Sequence, residues 1–115
     1  MIIRGEVIRG AQLGRKMGFP TANIDAHRLT EIENGVYASK VIFLGHEYNA
    51  MSNIGMRPSV DGTTRLLETH LFGFEGDLYG KEIEVHLLRK IRDEQRFSSI
   101  DALREQLQRD AEECR

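Results

Sequence analysis

The chain has 115 residues, of which 40% are hydrophobic and 30% are charged, and this length and composition are typical of a single globular domain over residues 1–115. Sixteen Lys and Arg residues stand against eighteen Asp and Glu residues, giving a net charge of −2. Because no block of like charges occurs, a broad nucleic-acid-binding surface is not expected. No apolar run approaches the roughly 18 residues that a membrane-spanning helix needs.

The cysteine content and the first residues predict a reducing compartment. The single cysteine, Cys114, has no partner for an internal disulfide, and no Asn-x-Ser/Thr glycosylation site occurs. Glu6 introduces a charge before an apolar signal-peptide core has formed. We therefore expect no secretory signal and a cytoplasmic protein.

Glycine spacing and apolar alternation predict a mainly β domain. Eleven glycines and two prolines punctuate short apolar stretches, as in all-β proteins. The most regular stretch places Tyr37 and Val41 on one face and Val36 and Ala38 on the other. The predicted strands are 3–7, 35–44, 48–54, 65–74 and a last one around 83–87, with a turn at 45–47.

The pattern changes to a helical period after Phe97. Ser98 is a candidate N-cap, and an apolar stripe at helical spacing consists of Ile100, Leu103, Leu107, Ala111 and Cys114. The connection 92–97 by itself indicates only a solvated link anchored by Phe97. About six strands followed by one helix favour a closed or nearly closed β-barrel, because closure removes exposed strand edges.

A glycine-rich segment precedes Thr21 and Asn23. It reads Gly-Ala-Gln-Leu-Gly-Arg-Lys-Met-Gly-Phe-Pro-Thr-Ala-Asn over residues 10–23. Glycines let backbone N–H groups approach a phosphate, the two cations add positive charge, and a Thr hydroxyl suits Mg²⁺. The spacing matches neither G-x-x-x-x-G-K-[ST] nor G-x-G-x-x-G. These residues therefore support a phosphate-binding loop and a flexible glycine loop with solvated cations about equally.

A carboxylate, Glu68, lies in the middle of the predicted strand 65–74 and shares a face with Leu66 and His70. Glutamate is depleted in strands, and in a pocket such a carboxylate suits the role of general base. A solvated face with a cross-strand cation explains the same pattern, and the residues alone favour it. His70 and His86 can fall on neighbouring strands, but without a third ligand they make a poor zinc site.

Six stretches, taken in order, carry a family resemblance. They are Gly-Arg-Lys-Met-Gly-Phe-Pro-Thr-Ala-Asn at 14–23, Gly-Val-Tyr at 35–37, Ser-Asn-Ile-Gly-Met-Arg-Pro at 52–58, Glu-Thr-His at 68–70, Gly-Asp-Leu-Tyr-Gly at 76–80, and 91–97 with the helix. Pro-Thr-Ala-Asn followed by Glu-Thr-His is the most specific combination. Together the stretches resemble the ATP-dependent riboflavin kinases (flavokinases), as found in the kinase domain of bifunctional riboflavin kinase/FMN adenylyltransferases.

The resemblance implies a fold, a reaction and a set of site residues. The fold is a six-stranded Greek-key antiparallel β-barrel with a C-terminal helix. The reaction moves the γ-phosphoryl of ATP to the ribityl 5′-hydroxyl of riboflavin, with Mg²⁺, and yields FMN and ADP. The implied residues are Glu68 as catalytic base; Gly10, Arg15, Thr21, Asn23, Leu71 and Tyr79 at ATP; Thr21 and Asn23 at Mg²⁺; and Arg92, Gln95 and Phe97 at the isoalloxazine ring.

Two positions depart from the family pattern. Ser59 stands where Pro-Thr is usual, and Gly73 stands where a polar or acidic residue is common. We expect Gly73 to loosen a strand near the nucleotide and to weaken ATP binding, because glycine weakens a strand interior. No residues precede Met1 to supply an adenylyltransferase half, so we expect no FAD synthesis from this chain.

Two other functions compete with the kinase. A catalytically silent flavin-binding module is disfavoured because Thr21, Asn23 and Glu68 are all retained. A nucleic-acid-binding barrel is disfavoured because the net charge is −2 and no Trp occurs. We expect a monomer that acts on riboflavin and ATP, without nucleic-acid or membrane partners.

Overall fold

A computed structural model describes residues 1–9 and 18–115 of the chain. Within these ranges the chain forms six β-strands and one α-helix. They are β1 (Ile2–Glu6), β2 (Ala22–Asp25), β3 (Gly35–Phe43), β4 (His46–Ser59), β5 (Gly62–Leu71), β6 (Glu82–Arg92) and α1 (Ile100–Cys114). In this part of the chain no helix combines the length and the apolar character needed to cross a membrane.

The strands form one antiparallel sheet that curls into a nearly closed barrel. Their spatial order is β1-β6-β3-β4-β5-β2, so β6 returns beside β3 after the β3–β4–β5 hairpins, which is Greek-key connectivity. A β-bridge between Ile8 and Asn23 joins the two ends of the sheet. Gly5 lies so close to this seam that a Cβ there would be 2.7 Å from the Ile24 side chain. The predicted six-stranded Greek-key barrel with a C-terminal helix is confirmed.

The barrel interior is filled by every second residue of the strands, as the period of a pleated sheet requires. Fully buried apolar side chains pack there, among them Val41, Ala50, Ile54, Leu67 and Val85. Three buried hydroxyls also lie in the sheet, and Ser52 bonds both Ser39 and Thr69 at 2.8 Å. The hydroxyls satisfy one another, so this polar line costs little hydrogen-bonding energy.

The helix α1 packs on the outside of β3 and β4. A second apolar cluster forms beneath it from Val36, Ala38, Met51 and Cys114. Tyr37 and Val41 belong instead to the interior core. One face predicted for 35–44 therefore lies inside the barrel, and the other is covered by the helix at Val36 and Ala38.

The start of α1 differs from the prediction by one residue. Ser99, and not Ser98, is the N-cap, and its side chain accepts a hydrogen bond from the Ala102 N–H at 3.1 Å. Ile100 is 58% exposed, so its place in the apolar stripe was predicted wrongly.

The end of β5 also differs from the prediction. β5 ends at Leu71, because Gly73 adopts a φ of +77° and turns the chain. Gly73 is therefore a turn residue in the left-handed backbone region that favours glycine. The expectation that it loosens a strand interior was wrong.

Strand β4 continues through Gly55, Arg57 and Pro58 to Ser59, beyond the predicted end at residue 54. The turn before it lies at Leu44 and Gly45, whose φ values are 49° and 79°, as in a two-residue hairpin. The four-residue strand β2 was not located in the sequence. The longer β4 matters for function, because its extra residues line the candidate site.

The buried Cys114 thiol gives a pH-dependent prediction. Burial, with a smaller contribution from Asp110, raises the pKa of the thiol from 9.0 to about 11. Since the folded state holds this proton more tightly, the contribution of the Cys114 proton to the free energy of unfolding is complete below pH 9.0 and is lost as the pH rises towards 11.

We expect slow reaction of the folded protein with a disulfide reagent at about pH 8. We also expect a fall in melting temperature between these two pH values that is smaller in Cys114→Ala. Rapid labelling of the folded chain contradicts this account.

Candidate active site

One row of residues crosses five strands on the outer face of the barrel. Asn23 on β2 is paired with Glu68 on β5, and Glu68 is paired with Asn53 on β4. Asn53 is paired with Val36 on β3, which is paired in turn with Arg92 on β6. Directly paired residues of antiparallel strands point to the same side. The row therefore places polar groups of separate sequence segments in one line.

Two oxygen atoms at the β2 end of this row form a candidate Mg²⁺ site. The Thr21 hydroxyl donates to Asn23 Oδ1 across 3.1 Å, and Asn23 is buried. Neighbouring ligands of octahedral Mg²⁺, at about 2.1 Å from the ion, lie about 3.0 Å apart. The two oxygens therefore have the chemistry and the spacing of adjacent Mg²⁺ ligands.

A first cleft of about 180 Å³ opens at this end of the barrel. Four residues predicted to contact ATP line it, namely Thr21, Asn23, Leu71 and Tyr79. The Arg9 guanidinium lies over the Tyr79 ring, 4.3 Å from its centroid. The first cleft thus combines an oxygen-ligand pair with a cation and an aromatic ring at its mouth. Gly10 and Arg15, also predicted to contact ATP, lie outside the described residues.

A second, larger cleft of about 760 Å³ lies between the outer face of the sheet, the 93–99 connection and α1, within the usual size range of ligand pockets. Glu68, Arg92, Gln95 and Phe97 line this second cleft. The residue predicted as base and the three predicted at the flavin therefore share one cavity.

The two clefts share Thr21 and His70. His70 Nδ1 lies 2.7 Å from the Pro20 carbonyl oxygen; a carbonyl only accepts, so Nδ1 is the donor. The His70 ring makes edge contacts with Phe19 and Phe72. Burial lowers the pKa of His70 below 6.5, which keeps the ring neutral at pH 7. His70 thereby holds the chain just before Thr21 against β5.

Glu68 is held by an arginine. Arg57 Nε and Nη2 both lie 2.8 Å from Glu68 Oε1, and Arg57 Nη1 lies 3.0 Å from Glu94 Oε1. Burial of Arg57 opposes its charge, but the two carboxylates outweigh burial and raise the pKa of the guanidinium. A Cβ at Gly55 would lie 2.0 Å from Glu94 Oε1, so the bridge needs glycine there. The Arg57 bridge thus joins β5, β4 and the segment 93–99.

Arg92 is fixed from the helix side. Its Nε and Nη2 contact the Asp110 carboxylate at 2.8–3.1 Å, and its Nη1 donates to the Asp93 carbonyl. Asp110 is 3% exposed and also accepts from Gln106. The Phe97 ring lies 5.8 Å from the Arg92 guanidinium carbon. The polar edge of Arg92 is thus largely occupied, and its position in the second cleft is fixed by α1.

Several residues of this site were not predicted from the sequence, namely Asn53, Arg57, Glu94 and Asp110. Asn53 and Arg57 lie in the 52–58 stretch that carried the resemblance, but no role was attached to them. Asp110 lies among the positions of the apolar stripe, where an unpaired acidic side chain is costly, and that signal pointed to a buried partner. His70 and His86 lie on β5 and β6, which are separated by β3 and β4, so they do not meet.

The whole chain, residues 1–115, matches the family described as Flavokinase: Riboflavin kinase. It is 47% identical over 111 residues to the bifunctional riboflavin kinase/FMN adenylyltransferase of Haemophilus influenzae, covering 96% of this chain and 36% of that protein. It is 44% identical over 111 residues to the RNA-binding riboflavin kinase RibR of Bacillus subtilis, covering 95% of this chain and 47% of that protein. The chain spans less than half the length of either relative.

Two solved structures are similar to this one. A Streptococcus pneumoniae protein described as a macrolide-efflux protein has a TM-score of 0.81 and 34% identity, over 96% of this chain and 37% of that chain. Riboflavin kinase from Trypanosoma brucei has a TM-score of 0.68 and 26% identity, over 98% of this chain and 76% of that chain. The fold defined by the six strands and the helix is a small Greek-key β-barrel. This chain belongs to the riboflavin kinase (flavokinase) family.

Proposed function

We propose that this chain is a riboflavin kinase that transfers the γ-phosphoryl of ATP to the ribityl 5′-hydroxyl of riboflavin. The observation that carries the proposal is that the two clefts meet and share Thr21 and His70. At this meeting point the pairing of β2 with β5 places Asn23 directly opposite Glu68. In-line phosphoryl transfer needs a donor and an acceptor held end to end. Two clefts with a common wall meet this requirement.

The first cleft is assigned to ATP. The Thr21 hydroxyl and Asn23 Oδ1, 3.1 Å apart, would hold Mg²⁺ together with phosphate oxygens, and Leu71 and Tyr79 would contact the nucleotide. Mg²⁺, when bound, neutralises negative charge on the phosphate groups. Because Asn23 is buried against β5, this pair is preorganised and requires little reordering on binding. Gly10 and Arg15 remain predicted ATP contacts.

Glu68 is assigned the role of general base. Arg57 occupies Glu68 Oε1 with a hydrogen bond from Nε and an ion-pair contact from Nη2, which leaves Oε2 as the oxygen that would receive the proton of the 5′-hydroxyl. Arg57 also keeps the carboxylate in one orientation. A positioned base of this kind contributes about 10²–10⁴-fold to a reaction rate.

The second cleft is assigned to riboflavin, with the ring end at Arg92, Gln95 and Phe97. Asp110 and the Asp93 carbonyl take up much of the hydrogen-bonding edge of Arg92. Arg92 therefore offers mainly its planar face, which suits stacking on an aromatic ring system. Phe97 offers a second aromatic contact at the same end of the cleft.

Product analysis of the purified chain with riboflavin, ATP and Mg²⁺ tests this function. Chromatographic separation of riboflavin, FMN and FAD is expected to show FMN. A flavin that binds, seen as quenched fluorescence, without any FMN formed would instead establish a silent flavin-binding module.

The absence of a nucleic-acid partner, the monomeric state and the cytoplasmic location stay predictions. The Bacillus subtilis relative is named as RNA-binding, so single-stranded RNA belongs in the binding assays.

The Thr21→Ala variant tests the proposed metal site. Loss of the hydroxyl removes one of the two oxygens, so the Mg²⁺ concentration for half-maximal activity is expected to rise by at least about tenfold. The matched control is Thr21→Ser, which keeps the hydroxyl and is expected to titrate nearly as wild type. An unchanged Mg²⁺ titration in Thr21→Ala would show that the hydroxyl serves only the local turn.

A further inference from the structure

We propose that Asn53 reads the inner hydroxyl groups of the ribityl chain and so determines which flavins the second cleft accepts. The inference rests on the proposed kinase function and extends it to a residue to which no role has been attached. Three observations support it: an unpartnered buried atom, a place in the cross-strand row, and the chemistry of the amide group.

The first observation is the unpartnered atom. Asn53 Oδ1 is buried and, among the described residues, has no hydrogen-bond partner. A buried polar atom without a partner has lost its bonds to water and gained none in return, so such atoms are rare in folded proteins. Asn53 lines the second cleft, and a ligand in that cleft would supply the missing partner once the amide group turns towards it.

The second observation is the order of residues along the row. Asn53 is paired with Glu68 on one side and with Val36 on the other, and Val36 is paired with Arg92. The hydroxyl that reacts lies at Glu68, and the ring lies at Arg92. The part of riboflavin between these two ends is the polyol chain. Asn53 therefore faces the middle of that chain.

The third observation is chemical. A carboxamide presents an acceptor oxygen and a donor NH₂ group, and a hydroxyl both donates and accepts. A secondary hydroxyl thus satisfies the amide in either orientation, whereas a methylene group satisfies neither. A site that is built to bond a hydroxyl discriminates strongly against an analogue that lacks it, because the buried polar group then stays unpaired.

The test compares two substrates in two proteins. The substrates are riboflavin and a flavin with a 5-hydroxypentyl chain on N10, which keeps the terminal hydroxyl and lacks the inner ones. Wild type is expected to prefer riboflavin by about 10- to 100-fold in kcat/KM and in flavin affinity measured by fluorescence quenching. In Asn53→Ala this preference is expected to fall close to unity. The Asn53→Asp variant, which keeps acceptor oxygens, is expected to retain part of it.

The matched control is Asn49→Ala. Asn49 lies on the same strand and the same outer face, four residues away, but is exposed and does not line the second cleft. This control is expected to keep the wild-type preference. A preference for riboflavin that persists undiminished in both Asn53 variants overturns the inference.

The affinity measurement separates this inference from the proposed function. If wild type forms no FMN but still binds riboflavin more tightly than the hydroxypentyl flavin, and Asn53→Ala abolishes that difference, the kinase proposal fails and the Asn53 inference stands. If wild type forms FMN and does not discriminate between the two flavins, the kinase stands and the inference fails.

Discussion

Replacing Glu68 with Gln is expected to lower the turnover of riboflavin by about 10²–10⁴-fold, the usual contribution of a positioned general base. Gln has the same shape and can still accept a hydrogen bond from Arg57 through its carbonyl oxygen, so the wall of the second cleft is kept. It cannot receive a proton at neutral pH. Flavin affinity, measured by fluorescence quenching, is therefore expected to stay near the wild-type value while kcat falls.

A fall in the turnover of Glu68→Gln could also result from loss of the Arg57 bridge alone. The Glu94→Gln variant separates loss of the base from loss of the bridge. Glu94 holds the same arginine at 3.0 Å but lies in the 93–99 connection, whereas Glu68 is paired with Asn23 of the proposed metal site. This variant weakens the bridge and keeps the base, so its turnover is expected to fall far less than that of Glu68→Gln. Equal losses in the two variants would assign Glu68 to the bridge only. Near-normal turnover in Glu68→Gln would remove Glu68 from the chemistry altogether.

Replacing Asp110 with Ala is expected to destabilise the fold by about 3 kcal/mol, the lower end of the range for breaking a buried ion pair. Asp110 is 3% exposed and its partner Arg92 has a side chain that is 17% exposed, so the variant leaves a cation with little access to water. Gln106 loses its bond as well. For a domain of this size the melting temperature is expected to fall by about 10 °C or more.

The control for this loss lies in the same helix. Asp101 pairs with Arg104 at 3.7 Å, and its side chain is 89% exposed. Surface pairs of this kind contribute about 0–1 kcal/mol, so Asp101→Ala is expected to change the melting temperature by only a few degrees. A similar melting temperature for Asp110→Ala and Asp101→Ala would contradict the structural importance assigned to the buried pair.

Local patterning was sufficient for much of the barrel and for the helix. The pattern of residues 35–44 predicted β3, and the strand carries apolar residues on both faces because one face lies in the core and part of the other lies under α1. Several features escaped, and two of them have a clear physical reason. β2 has four residues, which are too few to show a periodic pattern. The end of β5 depends on the positive φ of Gly73, a conformation that glycine can adopt but does not always adopt.

The candidate site depended more on resemblance than on patterning. Asn23, Asn53, Glu68 and Arg92 are far apart in the sequence, and only the strand register brings them into one row. Register follows from how strands pair across the whole sheet, which no local window contains. The Arg57 bridge depends on the same register and on the missing Cβ of Gly55. The roles given to Glu68, Thr21 and the flavin contacts stay predictions until the variants are measured.

The cross-strand row also fixes a distance between the two ends of the second cleft. Glu68 and Arg92 are separated by three strand-to-strand steps, or about 14 Å measured along the curved sheet at the usual strand spacing. Backbone hydrogen bonds set this length, and side-chain rotamers do not change it. In the proposed kinase the main chain therefore sets the distance between the flavin ring and the reacting hydroxyl. Substitutions along the row are expected to change which chemical groups of the flavin are recognised, but not the length of the flavin side chain that fits.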